Sequence, residues 1–130
     1  MKNSKRIKGV DILLEKLPEK YHSWSKFDYI LELHFEKVFD YEKYFEIISC
    51  IRLVLTDRDG LYRIGMTLKN AYGDVGFNVF DSCFGGLAIK DISESCWDNK
   101  MHFVIKGFEN DSFEVYCDEI EVELIEGAEN

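Results

Sequence analysis

Proline is almost absent from this chain, with Pro18 the single example in 130 residues, while 15% of the residues are aromatic. That combination excludes a disordered chain, because disorder goes with few aromatics and abundant proline. Long apolar runs are missing too, which excludes a membrane-spanning helix. The start reads Met-Lys-Asn-Ser-Lys-Arg-Ile-Lys and then Gly9-Val10-Asp11. A secretion signal needs an unbroken apolar stretch after its basic start, and Asp11 and Glu15 interrupt it at once. A cytoplasmic protein is expected. In that compartment the four cysteines, Cys50, Cys83, Cys96 and Cys117, are expected to be reduced and packed. No two of them have Cys-x-x-Cys spacing, and no histidine stands near one at zinc-finger spacing, so neither a metal site nor a redox pair is expected.

Basic residues are missing from one region in particular. The last 24 residues, Gly107 to Asn130, hold nine carboxylates and neither Lys nor Arg. The whole chain carries 25 acids and 16 bases, for a net charge of −9, so the remainder sums to zero. Charge of one sign gathered on one element is a footprint for a partner of the opposite sign. It also argues against nucleic acid as the partner, since phosphates would be repelled.

At 130 residues the chain is expected to form a single domain, spanning 1–130. Residues 1–8 (with Lys2, Lys5, Arg6 and Lys8) read as a basic flexible start, and 126–130 as a loose acidic end. Val10, Leu13, Leu14 and Leu17 recur at helical spacing, and Pro18 ends that helix by pushing its predecessor out of the helical region. From Phe27 the period becomes two: Phe27, Tyr29, Leu31, Leu33 and Phe35 alternate with polar residues, as in a half-buried strand. The stretch 40–48 fits either a helical turn after an Asp40 cap or an early start to a strand. Residues 47–56 favour strand through their β-branched content. Asp59-Gly60 signals a hairpin, followed by a strand with Tyr62, Ile64, Met66 and Leu68 on one face. Tyr72-Gly73-Asp74 reads as another turn, before Val75, Phe77 and Val79. Leu87–Ile92 and the region of Phe103 and Ile105 read as strands, separated by a polar loop at 93–100.

The acidic segment changes parity. Phe113, Val115 and Cys117 are apolar odd positions, whereas Ile120, Val122 and Leu124 are apolar even ones. A two-residue turn at Asp118-Glu119, or a bulge there, returns both sets to one face. Glu114, Tyr116, Glu121 and Glu123 then face outward together beside an acidic turn. The fold class expected is α+β: a predominantly antiparallel β-sheet with one or two short helices, the N-terminal helix packed on the sheet.

No catalytic motif accompanies these elements. Asp57-Arg58-Asp59-Gly60 begins like a calcium loop, but the bidentate acid at the twelfth position of such a loop would fall on Leu68. Ser23-Trp24-Ser25-Lys26 has Ser-x-x-Lys spacing without the rest of that catalytic set. Gly85-Gly86 opens no helix and so cradles no phosphate. His22, His34 and His102 are scattered. Trp97 stands in a polar loop, either folded over a sheet edge or presented to a partner, since Trp and Tyr concentrate at interface hot spots.

The stretch Leu87-Ala-Ile-Lys-Asp-Ile-Ser93, then Trp97, Met101–Phe108 and Phe113–Leu124, resembles the C-terminal half of small bacterial immunity proteins of polymorphic-toxin and contact-dependent inhibition systems. The pattern is an aliphatic strand ending in Asp-Ile-Ser, a Trp-bearing loop and two closing strands with an aromatic-Cys step. It covers about 40 of the 130 residues. The resemblance implies a cytoplasmic protein that neutralises a cognate toxin by tight binding. The expectation is therefore a non-enzymatic binding protein that docks a basic protein, such as a nuclease-type toxin. The candidate contacts are Glu114, Tyr116, Asp118, Glu119, Glu121, Glu123 and Trp97. No cofactor, metal, nucleic-acid or membrane partner is expected. Two alternatives stand beside it: a small-ligand-binding or enzymatic β domain with an aromatic-lined pocket, and a structural subunit that dimerises through a sheet edge.

Overall fold

A computed structural model describes residues 6–41, 45–76, 87–92, 102–107 and 113–127. It is mostly antiparallel β-sheet with one short helix near the N-terminus. The helix, α1 (Val10–Lys16), buries Val10 and Leu13, and ends at Leu17, whose backbone is already extended ahead of Pro18. Two single 3-10 turns, Glu19–Tyr21 and Trp24–Lys26, carry the chain to the first strand. Eight strands are described: β1 (Tyr29–Asp40), β2 (Glu46–Thr56), β3 (Arg63–Lys69), β4 (Tyr72–Val75), β5 (Leu87–Asp91), β6 (Phe103–Gly107), β7 (Phe113–Cys117) and β8 (Glu119–Glu126). They form two sheets, in the orders β1-β2-β3-β8 and β4-β7-β6-β5.

The inner faces of both sheets and the stripe of α1 meet in one apolar core. Leu53, Leu55, Ile64, Met66 and Leu68 enter from the first sheet, and Phe103, Ile105, Phe113 and Val115 from the second. A single ribbon links the sheets. β3 runs on into β4, and β7 into β8, with β3 paired to β8 and β4 to β7. The ribbon bends at Asn70-Ala71 on one strand and at Asp118 on the other. Strands that switch sheets through such a bend are how packed sheets make corners. Asn70 takes a left-handed backbone, φ 54°. The Ala71 N–H donates to the Ser49 carbonyl and the Asp118 N–H to the Lys69 carbonyl, which pins both bends.

Several sequence expectations are corrected here. Tyr72-Gly73-Asp74 is strand, not turn; the chain bends two residues earlier. Gly73 is required there because a Cβ would collide with the Glu114 backbone. In β1 the strict alternation fails: a bulge between Ile30 and Glu32 leaves Leu31 exposed and places Ile30 opposite Leu55 and Leu33 opposite Leu53. Residues 6–8 are not a loose start. Ile7 is 2% exposed, Arg6 pairs with Asp91 at 3.6 Å, and Lys8 forms a parallel bridge to β8. Gly9 follows with φ 85°, in a space where any Cβ would meet the Val122 carbonyl. Glu126 belongs to β8 rather than to a loose end. Strand β2 begins at Glu46, with Asp40 still in β1, and the rest of the ambiguous 40–48 stretch lies partly outside the described residues, as do Phe77, Val79, Cys83 and Cys96.

Candidate functional site

The acidic C-terminal segment does not fold as one outward hairpin face. Because β7 and β8 lie in different sheets, its acids part company. Glu114 and Tyr116 stand on the outer face of the second sheet, where the Tyr116 hydroxyl donates to Glu114 at 3.1 Å and Lys106 pairs with Glu114 at 3.5 Å. Tyr116 stacks on Tyr72, ring centroids 5.8 Å apart. Asp118 is not part of an exposed turn: it is 3% exposed, and its carboxylate lies 2.6 Å from Nδ1 of His102. A buried carboxylate without such a partner costs several kcal/mol (of order 3–5), so the pair holds the corner closed. Trp97 lies outside the described residues.

Glu119, Glu121 and Glu123 share the outer face of the first sheet, and there they meet acids that the sequence reading did not include. The register of β1, β2, β3 and β8 places Glu32, Glu36, Asp40 and Glu46 on that same face, around Val38, Ile48 and Cys50. The sheet presents these seven carboxylates to three cations, Arg52, Arg63 and Lys69, with Lys8 laid against the β8 edge. Some of the charge is internally paired. Arg52 reaches Glu36 at 2.8 Å, Lys69 reaches Glu121 at 3.1 Å, and Lys8 lies 3.8 Å from both Glu119 and Glu121. The hydrogen bond to Glu121 holds the Lys69 ammonium above its ordinary pKa, against the opposing effect of burial. Glu46 and Glu123 have no ion-pair partner among the described residues. Only a pairing map reveals this set, because β1 and β8 are about as far apart in the chain as two strands here can be.

A groove of about 520 Å³ opens on this face, lined by Val38, Phe39, Tyr41, Ile48 and Cys50 among others, with Glu36 and Asp40 set against Arg52 and Lys69. The ring planes of Phe39 and Tyr41 lie within 3° of parallel. The β1–β2 hairpin runs past β3, whose pairing with β2 stops at Cys50. This overhang carries exposed Phe35, Phe39, Tyr41, Phe45 and Ile47. Phe45 is 80% exposed and has φ 52°, a left-handed backbone that bulky residues rarely adopt. Strained, exposed aromatics of this kind gather at functional sites.

Two other concavities have different chemistry. One of about 620 Å³ lies where the sheets diverge, lined by Phe35, Ile51, Ala71, Tyr72 and Val75 among others. The Cys50 thiol at its wall is pushed above its ordinary pKa, mainly by burial, and so is a poor nucleophile. The other, of about 440 Å³, sits over the β2–β3 turn, where Lys20, Lys26 and Arg58 balance Asp28, Asp57 and Asp59 and no net sign of charge selects a ligand. Asp57 there is structural: its Oδ1 accepts the Tyr62 N–H at 2.9 Å. Its carboxylate and that of Asp59 add to burial in raising the pKa of Tyr21.

His22 donates to the Leu17 carbonyl at 2.7 Å, and His34 lies 3.4 Å from Glu32 on the outer face. Cys50 and Cys117 are free, buried thiols. Among the described residues, no three His, Cys, Asp or Glu side chains gather to hold a metal ion, and no helix is long and apolar enough to cross a membrane. The chain matches no protein-family model, no curated protein and no solved structure.

Proposed function

We propose that this chain is a non-enzymatic binding protein of the toxin-immunity kind, which docks a basic protein on the outer face of the sheet β1-β2-β3-β8. The observation that carries the reading is the excess of seven carboxylates over four cations on that face, Lys8 included, beside a groove with Val38, Phe39 and Tyr41 in its lining. A long basic side chain can lay its methylene stem on Val38 and bring its charge to Asp40, since Arg52 and Lys69 in the same lining already reach Glu36 and Glu121. The Tyr41 and Phe39 rings add attraction for a cation, worth roughly 0.5–1 kcal/mol at an exposed site. Carboxylates over the rest of the face steer the encounter and raise the association rate. The toxin-immunity identity of the reading rests on the C-terminal strand pattern, and a cytoplasmic location goes with it.

An aromatic-lined ligand site is the second reading, favoured by the 620 Å³ groove between the sheets. It ranks lower because burial holds the Cys50 thiol in its wall above its ordinary pKa and so makes it a poor nucleophile.

The test is growth rescue. The reading frame beside this chain's own is expected to encode a basic toxin domain, and when that domain is expressed in a host, co-expression of this chain is expected to restore growth. The double variant Glu46→Lys/Glu123→Lys reverses two carboxylates that have no ion-pair partner among the described residues and is expected to weaken rescue and slow association at least about tenfold, through charge reversal at the interface. Glu114→Lys, on the other sheet, is expected to leave both unchanged. Full rescue by the double variant, or loss of rescue in Glu114→Lys alone, overturns the assignment of the face.

A further inference from the structure

Strand β1 is twelve residues long and has β2 on one side. Among the described residues no strand lies on its other side. An edge strand offers a row of backbone donors and acceptors to any second strand, and proteins usually blunt such edges with charge, proline or bulges. Here the bulge at Leu31 disturbs only the beginning. From Glu32 to Asp40 the pairing with β2 is regular, proline is absent, and Lys37 is the only lysine. Phe35, opposite Ile51 on the face that continues the core, is 65% exposed and lines the 620 Å³ groove with Tyr72 and Val75.

We infer that β1 pairs antiparallel with β1 of a second copy of this chain, about a two-fold axis at Phe35, joining two four-stranded sheets into one of eight strands. The sequence of the edge selects the occupant and the register. A two-fold axis perpendicular to a sheet keeps residues on their own faces, so it must pass through a residue rather than between two. With the axis at His34, Glu32 lies opposite Glu36 of the second copy. At Glu36 the two copies of Glu36 face each other, and at Lys37 the two lysines do. Like charges directly opposite are destabilising. Registers centred before His34 bring the bulge at Leu31 within two residues of the axis, whereas an axis at Phe35 leaves it four residues away, at the end of the paired stretch. With the axis at Phe35 no like charges are opposed. His34 lies opposite Glu36 of the second copy, twice by symmetry. The two Phe35 rings are neighbours across the axis, and Phe39 lies opposite Leu31 of the second copy. Because the axis preserves faces, the two acidic outer faces lie side by side on the same side of the joined sheet. The inference does not depend on the identity of the basic partner.

The experiment is sedimentation of the full chain over a range of concentrations in about 0.5 M salt, where the like net charges of the two copies are screened. A dimer is expected at high concentration. Phe35→Asp places two carboxylates on the axis and is expected to weaken self-association at least about tenfold, without unfolding a domain in which Phe35 is largely exposed. His34→Glu sets a new carboxylate opposite Glu36 of the second copy and is expected to weaken it likewise. Adding Glu36→Lys to His34→Glu restores opposite charges in this register alone and is expected to restore the dimer. Far-ultraviolet circular dichroism checks that each variant is folded. A wild-type chain that stays monomeric at every concentration overturns the inference. So does a dimer indifferent to Phe35→Asp, or one that the charge swap fails to restore.

Discussion

At the scale of single residues, burial decides what each polar or reactive side chain can do. Cys117 is fully buried on the inner face of β7, and that burial pushes its thiol up to about 12 from 9.0. The sign of the consequence follows. Below pH 9 the thiol is neutral in the folded and the unfolded chain alike, so it adds no pH dependence. Between 9 and about 12 the unfolded chain ionises there and the folded chain does not, so stability falls as pH rises. The loss attributable to this one group between pH 8 and 10 is about 1.4 kcal/mol. Urea unfolding at both pH values reads it. Cys117→Ala is less stable than wild type at either pH because of the cavity it leaves, yet its loss between them is expected to be smaller by about that 1.4 kcal/mol. Equal losses in both proteins would show that Cys117 does not set the alkaline limit. The same reasoning separates Asp118 from the candidate contacts. In sequence it is one acid among nine, whereas in the fold it is buried against His102 and belongs to the architecture.

At the scale of elements, the parts legible in the sequence are those that depend on near neighbours. The helix 10–16 was legible from four apolar positions and one proline, and the strands from Ile47, Tyr62, Leu87, Phe103 and Phe113 from period-two alternation. What alternation cannot encode is which strand lies beside which. The parity change between Cys117 and Ile120 is met equally by a hairpin turn, a bulge or a crossing from one sheet to the other, because all three return the apolar set to one core. The structure takes the third course, and Glu114 and Tyr116 part from Glu121 and Glu123 for that reason. The bend opposite Asp118 was missed because Tyr72-Gly73-Asp74 has the composition of a turn, while the residue that turns, Asn70, gives a weaker signal. Its left-handed backbone is open to glycine and disfavours β-branched residues by roughly 1–2 kcal/mol. Asn70→Val is therefore expected to lower the unfolding free energy by about that 1–2 kcal/mol, and Asn70→Gly to change it little. Denaturant midpoints at unchanged slope decide it; a Val variant as stable as wild type would mean that the corner is set by the Ser49 and Lys69 hydrogen bonds alone.

At the scale of the whole molecule, the net charge of −9 acts in opposite directions on the two associations proposed for it. Toward a basic partner it is attractive over a distance set by the Debye length, roughly 8 Å at physiological salt, and added salt shortens that reach. Between two copies of the chain it is repulsive, since joining the β1 edges brings two acidic outer faces together on one side. The short-range terms that favour that dimer, backbone pairing and the Phe35 contact, are hardly touched by salt. Raising salt from about 0.05 to 0.5 M is therefore expected to slow association with the basic partner while strengthening self-association. Stopped-flow association rates and sedimentation, run on one preparation across the same salt series, read the two trends. If self-association weakens with salt as well, the His34–Glu36 contacts outweigh the repulsion between the faces, and the monomer rather than the dimer is the form that salt favours. If the association rate with the basic partner does not fall, the carboxylates of the outer face take no part in the encounter, and the partner docks through the aromatic overhang of the β1–β2 hairpin instead.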